Sequence, residues 1–553
     1  MNQTIYDTSE LCYQLGVRHA VFSPGSRNAP LSISFHRNKK ISTHVFVDER
    51  SAGFIGLGIS QRTQSPVVLC CTSGTALLNY GPAIAEAFYQ EIPLIVLSAD
   101  RPPEWIDQWD GQTIRQQNVF SNFVKHFQQL PDDLANKSAQ STYQKGIIEA
   151  IKAAVSDIKG PVHLNIPFRE PFYPAPDSMY EFSEISIEKT EPRIFTSDSS
   201  KIVEDWKNSE KKLVLVGQGN WDQELKGVLG QIIKKQVPVI GDIISNVHDI
   251  EGVISHQDLF LSGRPQLLQP ELVITLGKSL ISKQLKLFLR AGNFKHYHLA
   301  EHPGKQDPFS SKPIPISCRP KLVLEELANQ QEQEPDFSES WSEKNKQTKA
   351  KLAWLETCEF GEFSAFKTVI SSLPQKSIIH LSNSMPVRYA NFLSTHYEQN
   401  IDVFANRGTS GIDGSNATAV GHALTSDRQV VLLTGDLSFI YDQNAFFHEY
   451  ALDNLRIVVF NNFGGGIFDM IPGPLSLSAE ERTKHFNTPH QKNFKYMARN
   501  AGFDYQVCDQ EDELNSALRV FFNPSDRAKL LEIQSDRAIN QKVFQAFKQY
   551  TNE

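Results

Sequence analysis

The strongest constraint on the fold of this chain is a recurring set of short apolar runs that stop on Gly, Ser, Asp or Asn: HAVFSPGS, PVVLCCTSG, PLIVLSADRP, KLVLVGQG, ELVITLGKS, QVVLLTGD and LRIVVFNN. Apolar runs without polar alternation are the pattern of strands buried on both faces. Between them lie stretches with helical spacing, such as TALLNYGPAIAEAFYQ. The alternation predicts repeated β-α units, an α/β fold with doubly wound, mostly parallel sheets. Ligands of such sheets sit at the carboxyl ends of the strands, so the residues just after each run are where chemistry is expected.

A chain of 553 residues is too long for one core and predicts about three domains. Two segments interrupt the pattern. Residues 174–200 are rich in Pro, Ser and Glu, and residues 329–350 (NQQEQEPDFSESWSEKNKQTKA) are almost wholly polar; both read as linkers. They predict α/β domains at 1–175, 198–330 and 348–553. The net charge of −8 and the lack of a basic block argue against a nucleic-acid partner. The six scattered cysteines show no CxxC spacing and read as reduced residues. The polar start MNQTIYDTSELCYQLGV has no signal-peptide core, and no apolar run reaches the roughly 18 residues of a membrane span, which predicts a cytoplasmic protein.

In the last predicted domain, one strand runs into Gly435-Asp436-Leu437-Ser438 and another into Asn461-Asn462-Phe463-Gly464-Gly465-Gly466. Asp436 and Asn462 are 26 positions apart, room for a helix and a return strand that would set them side by side at one sheet edge. A carboxylate, a carboxamide and a glycine carbonyl are hard oxygen donors suited to Mg²⁺. Glycines let backbone amides approach phosphate oxygens, and a helix N-terminus adds a favourable dipole. Taken singly, each half is a turn or a polar loop. Both together on strand ends favour a metal–diphosphate site.

This pair resembles the GD…NN motif of the thiamine-diphosphate enzymes. The resemblance implies that Asp436, Asn462 and the carbonyl of Gly464 hold Mg²⁺, with Mn²⁺ as an alternative, and that Gly435, Leu437, Ser438 and Gly465 lie against thiamine diphosphate. Leu437 departs from the family, where many members carry glycine. The passage HVFVDERSAGFIGLGIS matches the family's activating-glutamate region. By composition Glu49 and Asp48 are first-turn acids favoured by the helix dipole. By resemblance Glu49 is the carboxylic group that protonates the cofactor's pyrimidine in a dry site. It would act across a subunit interface, which implies a homo-oligomer, dimer or tetramer.

Cations also stand at strand ends: Arg27 in SPGSRNAP, Arg101 in ADRPPE and Arg407 in NRGTSGIDG, with Arg388 and Lys283 as two more. Several guanidinium forks at strand ends suit carboxylates better than they suit solvent. The strings SPGSRNAPL, ADRPPE, GQTIRQ and NRGTSGIDG closely resemble the 2-succinyl-5-enolpyruvyl-6-hydroxy-3-cyclohexene-1-carboxylate synthase family of menaquinone biosynthesis, over essentially the whole chain. The resemblance implies decarboxylation of 2-oxoglutarate and 1,4-addition of the succinyl carbanion to isochorismate. It assigns Ser26, Arg27, Arg101 and Lys283 to isochorismate, and Ser384, Arg388 and Arg407 to the distal carboxylate of the succinyl unit. Gln112 would contact the intermediate or the incoming substrate. Ile412 would be the wedge that bends the cofactor, and Ile467, Phe468 and Ile471 an apolar wall. Gly111, where relatives often have Asn, and Gln284, where some have Arg, depart from the pattern.

Three other readings make different predictions. The first is another thiamine-diphosphate carboligase or a 2-oxo acid decarboxylase; an acetohydroxyacid synthase, one such carboligase, would carry flavin. A dinucleotide-binding oxidoreductase would need a full GxGxxG, but VLVGQGN has Asp222 at the third glycine. A non-catalytic scaffold would have no need of Glu49, Asp436 and Asn462 together.

Overall fold

Each of the seven apolar runs is a strand paired in parallel with its neighbours. The computed structural model describes residues 2–174, 181–185, 187, 199–331, 334–394 and 400–552. The first sheet holds β1 (His19–Phe22), β2 (Ser42–Val45), β3 (Val67–Cys71), β4 (Leu94–Asp100), β5 (His126–Gln129) and β6 (Val162–Pro167), in the order β2-β1-β3-β4-β6-β5. The second holds β7 (Lys212–Val216), β8 (Val239–Gly241), β9 (Leu272–Leu276), β10 (Lys295–Ala300) and β11 (Ile314–Ser317), in the order β11-β10-β9-β7-β8. The third holds β12 (Ile378–Leu381), β13 (Asp402–Phe404), β14 (Val430–Gly435), β15 (Leu455–Asn461), β16 (Asp504–Cys508) and β17 (Lys529–Gln534), in the order β13-β12-β14-β15-β17-β16.

The first and third sheets thus repeat one strand order. Each reverses direction between two adjacent strands, β1 and β3 in one and β12 and β14 in the other. Such a reversal opens a crevice at the carboxyl edge, the usual ligand position in open α/β sheets. Central strands such as β3, β4 and β15 are buried along their whole length, as their unbroken apolar runs predict.

By internal contacts the chain forms two compact units. One comprises residues 1–191, 406–427 and 439–452; the other comprises 192–405, 428–438 and 453–553. The first unit contains the first sheet and a close helix pair, Glu49–Thr63 against Ser415–Ala423. Backbone meets backbone there. A Cβ added at Gly58 would lie 2.2 Å from the Thr418 carbonyl oxygen, and one at Gly421 would lie 2.3 Å from that of Ile55. The second unit contains the other two sheets.

One expectation needs correction. The polar stretch 329–350 is not a linker, because Asp336–Lys351 is a helix. Phe337, Trp341, Thr348 and Leu352 fall on one face and are buried, Trp341 completely; Phe337 and Trp341 join the core that covers one side of the second sheet, and Leu352 joins the core of the third. Asp336 and Glu339 in its first turn and Lys349 and Lys351 in its last complement the helix dipole. The stretch TALLNYGPAIAEAFYQ forms two helices, Thr75–Asn79 and Gly81–Gln90, the second opened by Pro82 in its first turn. Of the other proposed linker, residues 175–180, 186 and 188–198 lie outside the described residues. Among the described residues no helix is long and apolar enough to cross a membrane.

Candidate active site

β14 and β15 are adjacent and parallel, with Gly435 opposite Phe460, so Asp436 and Asn462 leave the sheet side by side. Asp436 is 2% exposed and accepts three hydrogen bonds: Leu437 N at 2.7 Å on Oδ1, and Gly464 N at 2.8 Å and His490 Nε2 at 3.0 Å on Oδ2. Asn462 is also buried. Its Nδ2 donates to Glu362 Oε2 at 2.7 Å, while its Oδ1 has no hydrogen-bond partner among the described residues. A buried amide oxygen without a donor is costly unless something else supplies positive charge. That orphaned oxygen, a carboxylate and the backbone of Gly464 make a hard-donor set into which Mg²⁺ fits.

Gly464 has no room for a side chain, since an added Cβ would lie 2.6 Å from the Asn487 carbonyl oxygen. Gly435 borders open space, with nothing within 4 Å of an added Cβ. Leu437 is half-buried and Ser438 buried beside it. Gly465 precedes a short 3₁₀ turn, Gly466–Asp469, that carries Ile467 and Phe468; these and Ile471 keep part of their surface in solvent.

At the first sheet, β2 leads into the helix Glu49–Thr63. Asp48 does the capping, accepting Arg50 N at 2.8 Å and Ser51 N at 3.3 Å. Glu49 is left at the first helical position, half-buried in the single chain. Burial pushes its carboxyl above the ordinary value, its own backbone N–H opposes this, and the charge of Asp48 adds to it.

Ser26 and Arg27 follow β1, and Arg101 follows β4, two strands away across β3. Ser26 is exposed. Arg27 is 8% exposed, donates to the Phe168 carbonyl at 2.8 Å and stacks 4.4 Å over Phe172. Arg101 is tied within its own loop to Asp110 at 3.1 Å and to the Gly111 carbonyl at 2.7 Å. Gln112 follows, exposed and at φ +54°. Arg407 follows β13 and is half-buried, and Ile412 is a large apolar side chain 38% exposed on the same loop. All of these belong to the first unit.

In the second unit Ser384 precedes the helix Met385–Leu393 at φ +76°, and Arg388 donates to its carbonyl. Burial lowers the guanidinium's affinity for its proton, and Asp258 opposes that. The same Asp258 accepts Ser282 Oγ at 2.6 Å and Gln284 N at 2.8 Å, holding the start of the helix Lys283–Arg290; Lys283 itself is exposed.

Family models match along the chain in order: thiamine pyrophosphate enzyme, N-terminal TPP binding domain, at 7–133; middle domain of thiamine pyrophosphate, at 189–381; and thiamine pyrophosphate enzyme, C-terminal TPP binding domain, at 387–533. The 2-succinyl-5-enolpyruvyl-6-hydroxy-3-cyclohexene-1-carboxylate synthase of Cytophaga hutchinsonii is 44% identical over 99% of this chain and 98% of its own length. The chain belongs to this synthase family. Synthases of the same description from Flavobacterium psychrophilum (37% identical, 97% of this chain and 96% of theirs) and Desulfotalea psychrophila (36%, 97% and 98%) are similar to it as well. It is a thiamine-diphosphate enzyme.

Sequence reasoning misses several residues of this synthase. Glu362, fully buried at the start of the helix Glu362–Ser371, orients Asn462 and is itself pushed up to about 7 by burial, with Asp436 adding to the rise. His490 holds Asp436. Gln116, buried, accepts Gly74 N at 2.8 Å and donates to the Ala99 carbonyl at 3.1 Å and to Asn165 Oδ1 at 2.7 Å, bracing the turn after β3 against β4 and β6. The spacing of these residues carries no local signal. Only GQTIRQ, which contains Gln116, stands out.

Proposed function

We propose that this synthase decarboxylates 2-oxoglutarate and adds the succinyl unit in 1,4 fashion to isochorismate, a step of menaquinone biosynthesis. Supporting this are its membership of the synthase family and, above all, one observation. Arg27, Arg101 and Arg407 stand within five residues of the carboxyl ends of β1, β4 and β13, and Arg388 lies in the first turn of the helix that follows β12, where ligands of open α/β sheets are expected. Two dicarboxylate substrates need such an excess of guanidinium forks.

Bound thiamine diphosphate supplies the electron sink that decarboxylation requires. Asp436, Asn462 Oδ1 and the Gly464 carbonyl hold Mg²⁺, and Gly435, Leu437, Ser438 and Gly465 form the adjoining surface. Glu49 holds and returns a proton at a pyrimidine ring nitrogen, for which its raised proton affinity suits it. Ile412 supplies the apolar wedge, and Ile467, Phe468 and Ile471 shield the reacting carbons from water. Ser384, Arg388 and Arg407 anchor the distal carboxylate of the 2-oxo acid; Ser26, Arg27, Arg101 and Lys283 receive isochorismate, with Gln112 beside it. Arg101 must exchange Asp110 for substrate. The limits 1–175, 198–330 and 348–553 belong to this reading, as pyrimidine-binding, middle and diphosphate-binding domains, each holding one sheet. So do a cytoplasmic location and a homodimer or tetramer in which Glu49 serves a cofactor held by another chain.

The test separates the two carboxylate pockets. A charge-assisted hydrogen bond is worth about 1.5–3 kcal/mol, so deleting one arginine costs roughly 10- to 150-fold in kcat/KM. Arg27→Ala should impair product formation from isochorismate while sparing slow CO₂ release from 2-oxoglutarate alone. Arg388→Ala and Arg407→Ala should impair CO₂ release itself. Equal losses of both signals in all three variants, or faster CO₂ release from pyruvate than from 2-oxoglutarate in the wild type, would refute the assignment.

A further inference from the structure

Glu86 lies on the helix Gly81–Gln90 with no solvent exposure, yet no ion pair accounts for it among the described residues. Its carboxylate accepts four hydrogen bonds. Oε1 takes Gly408 N at 2.8 Å and Gln90 Nε2; Oε2 takes Thr409 N and Thr409 Oγ, each at 2.6 Å. All four partners are donors, the bonding pattern of an ionised carboxylate. The seat is tight, since a Cβ on Gly408 would lie 2.7 Å from the Glu86 carbonyl oxygen. The carboxylate is itself fixed from behind. Gln61 Nε2, on the helix that begins with Glu49, donates to Gln90 Oε1 at 3.0 Å, and Gln61 Oε1 meets His422 Nε2 at 3.3 Å on the helix Ser415–Ala423 packed against it. The pinned amides are those directly after Arg407 and three residues before Ile412. Every residue in this relay belongs to the same compact unit.

We propose that Glu86 is a positioning residue for selection of the 2-oxo acid: by gripping Gly408 and Thr409 it holds the loop that presents Arg407 to the distal carboxylate. This rests on the role given to Arg407 above. Buried hydrogen bonds made to an ionised group fix a loop more firmly than neutral ones do. Nothing else gripping these two backbone amides is available within the helix that carries Glu86.

Glu86→Gln is the decisive substitution. It keeps size and shape, but its amide N–H must face either Gly408 and Gln90 or Thr409, setting donor against donor. The KM for 2-oxoglutarate should rise roughly tenfold, and the preference for 2-oxoglutarate over pyruvate in kcat/KM should fall by about the same factor. The KM for isochorismate should stay within about twofold. Thr409→Val, at an exposed position, removes only the Oγ bond and should move the same two quantities in the same direction by about two- to threefold. Arg407→Ala is measured alongside. If it leaves the KM for 2-oxoglutarate unchanged, the Arg407 assignment fails. If it raises that KM while Glu86→Gln and Thr409→Val do not, Glu86 has no positioning role. A Glu86→Gln variant that raises both KM values equally and lowers Tm shows a merely structural residue and overturns the proposal. Should Glu86→Gln not fold, Thr409→Val decides alone.

Discussion

At the scale of single residues, burial sets what each acid of this synthase can do. Asp48 spends its oxygens on the helix cap and on Asn444 Nδ2 at 2.7 Å, which leaves the neighbouring Glu49 free of that duty. Glu49→Gln keeps size and should fold and bind thiamine diphosphate with unchanged affinity, yet lose at least about 100-fold in turnover, because an amide cannot pass the proton. Calorimetric titration and steady-state rates check both halves. Asp442 is a different case. It is fully buried, accepts Ala417 N at 2.8 Å on Oδ2 and has no partner for Oδ1 among the described residues. Burial pushes it up to about 7, against the Ala417 N–H and Arg50, with Asp413 and Asp48 adding to the rise. An aspartate in the unfolded chain titrates near about 3.9, so between that pH and about 7 the folded state holds a proton the unfolded state has lost. Stability therefore falls as pH rises through this window, and the cost is complete above it. Asp442→Asn should raise Tm relative to wild type by roughly 2 °C at pH 8 and by much less at pH 5, which thermal unfolding at the two pH values will show.

At the scale of elements, the same residue type has opposite effects depending on what faces it. Gly58 meets a backbone carbonyl, so Gly58→Ala must push a pair of packed helices apart and should cost about 2–3 kcal/mol. Gly227 lies exposed within the helix Gln223–Lys234 with nothing near its absent Cβ, so Gly227→Ala should add about 0.5–1 kcal/mol. Opposite shifts of Tm are the expected result, and a shift of the same sign would contradict the packing described. The helices also show where local reading stops. Asp336–Lys351 reads as polar because only Phe337 and Trp341 in it are large and apolar, and two aromatic anchors suffice when a core waits on one side. Its acidic start and basic end are visible in the chain; the core that receives Trp341 is not.

At the scale of the whole molecule, the proposed division of labour between chains makes a test that needs no structure of the assembly. Glu49→Gln and Asp436→Ala proteins should each be nearly inactive, but after mixing and exchange of subunits about a quarter of wild-type activity should return, because a hybrid dimer keeps one intact site. No recovery under conditions where exchange is demonstrated would remove Glu49 from a shared site. The two sheets with one strand order place Ser26, Arg27 and Arg101 on the first and Ser384, Asp436 and Asn462 on the third, always at carboxyl ends. This much the sequence determined by itself, because a strand buried on both faces must be written as an unbroken apolar run and its first polar residues must emerge at the sheet edge. Tertiary structure alone decided which groups steady those residues. Glu86 reaches Gly408 across 322 positions, and Glu362 reaches Asn462 across 100. Such partners leave no periodic trace, because a buried carboxylate is selected by the donors that the fold brings to it and not by its neighbours along the chain.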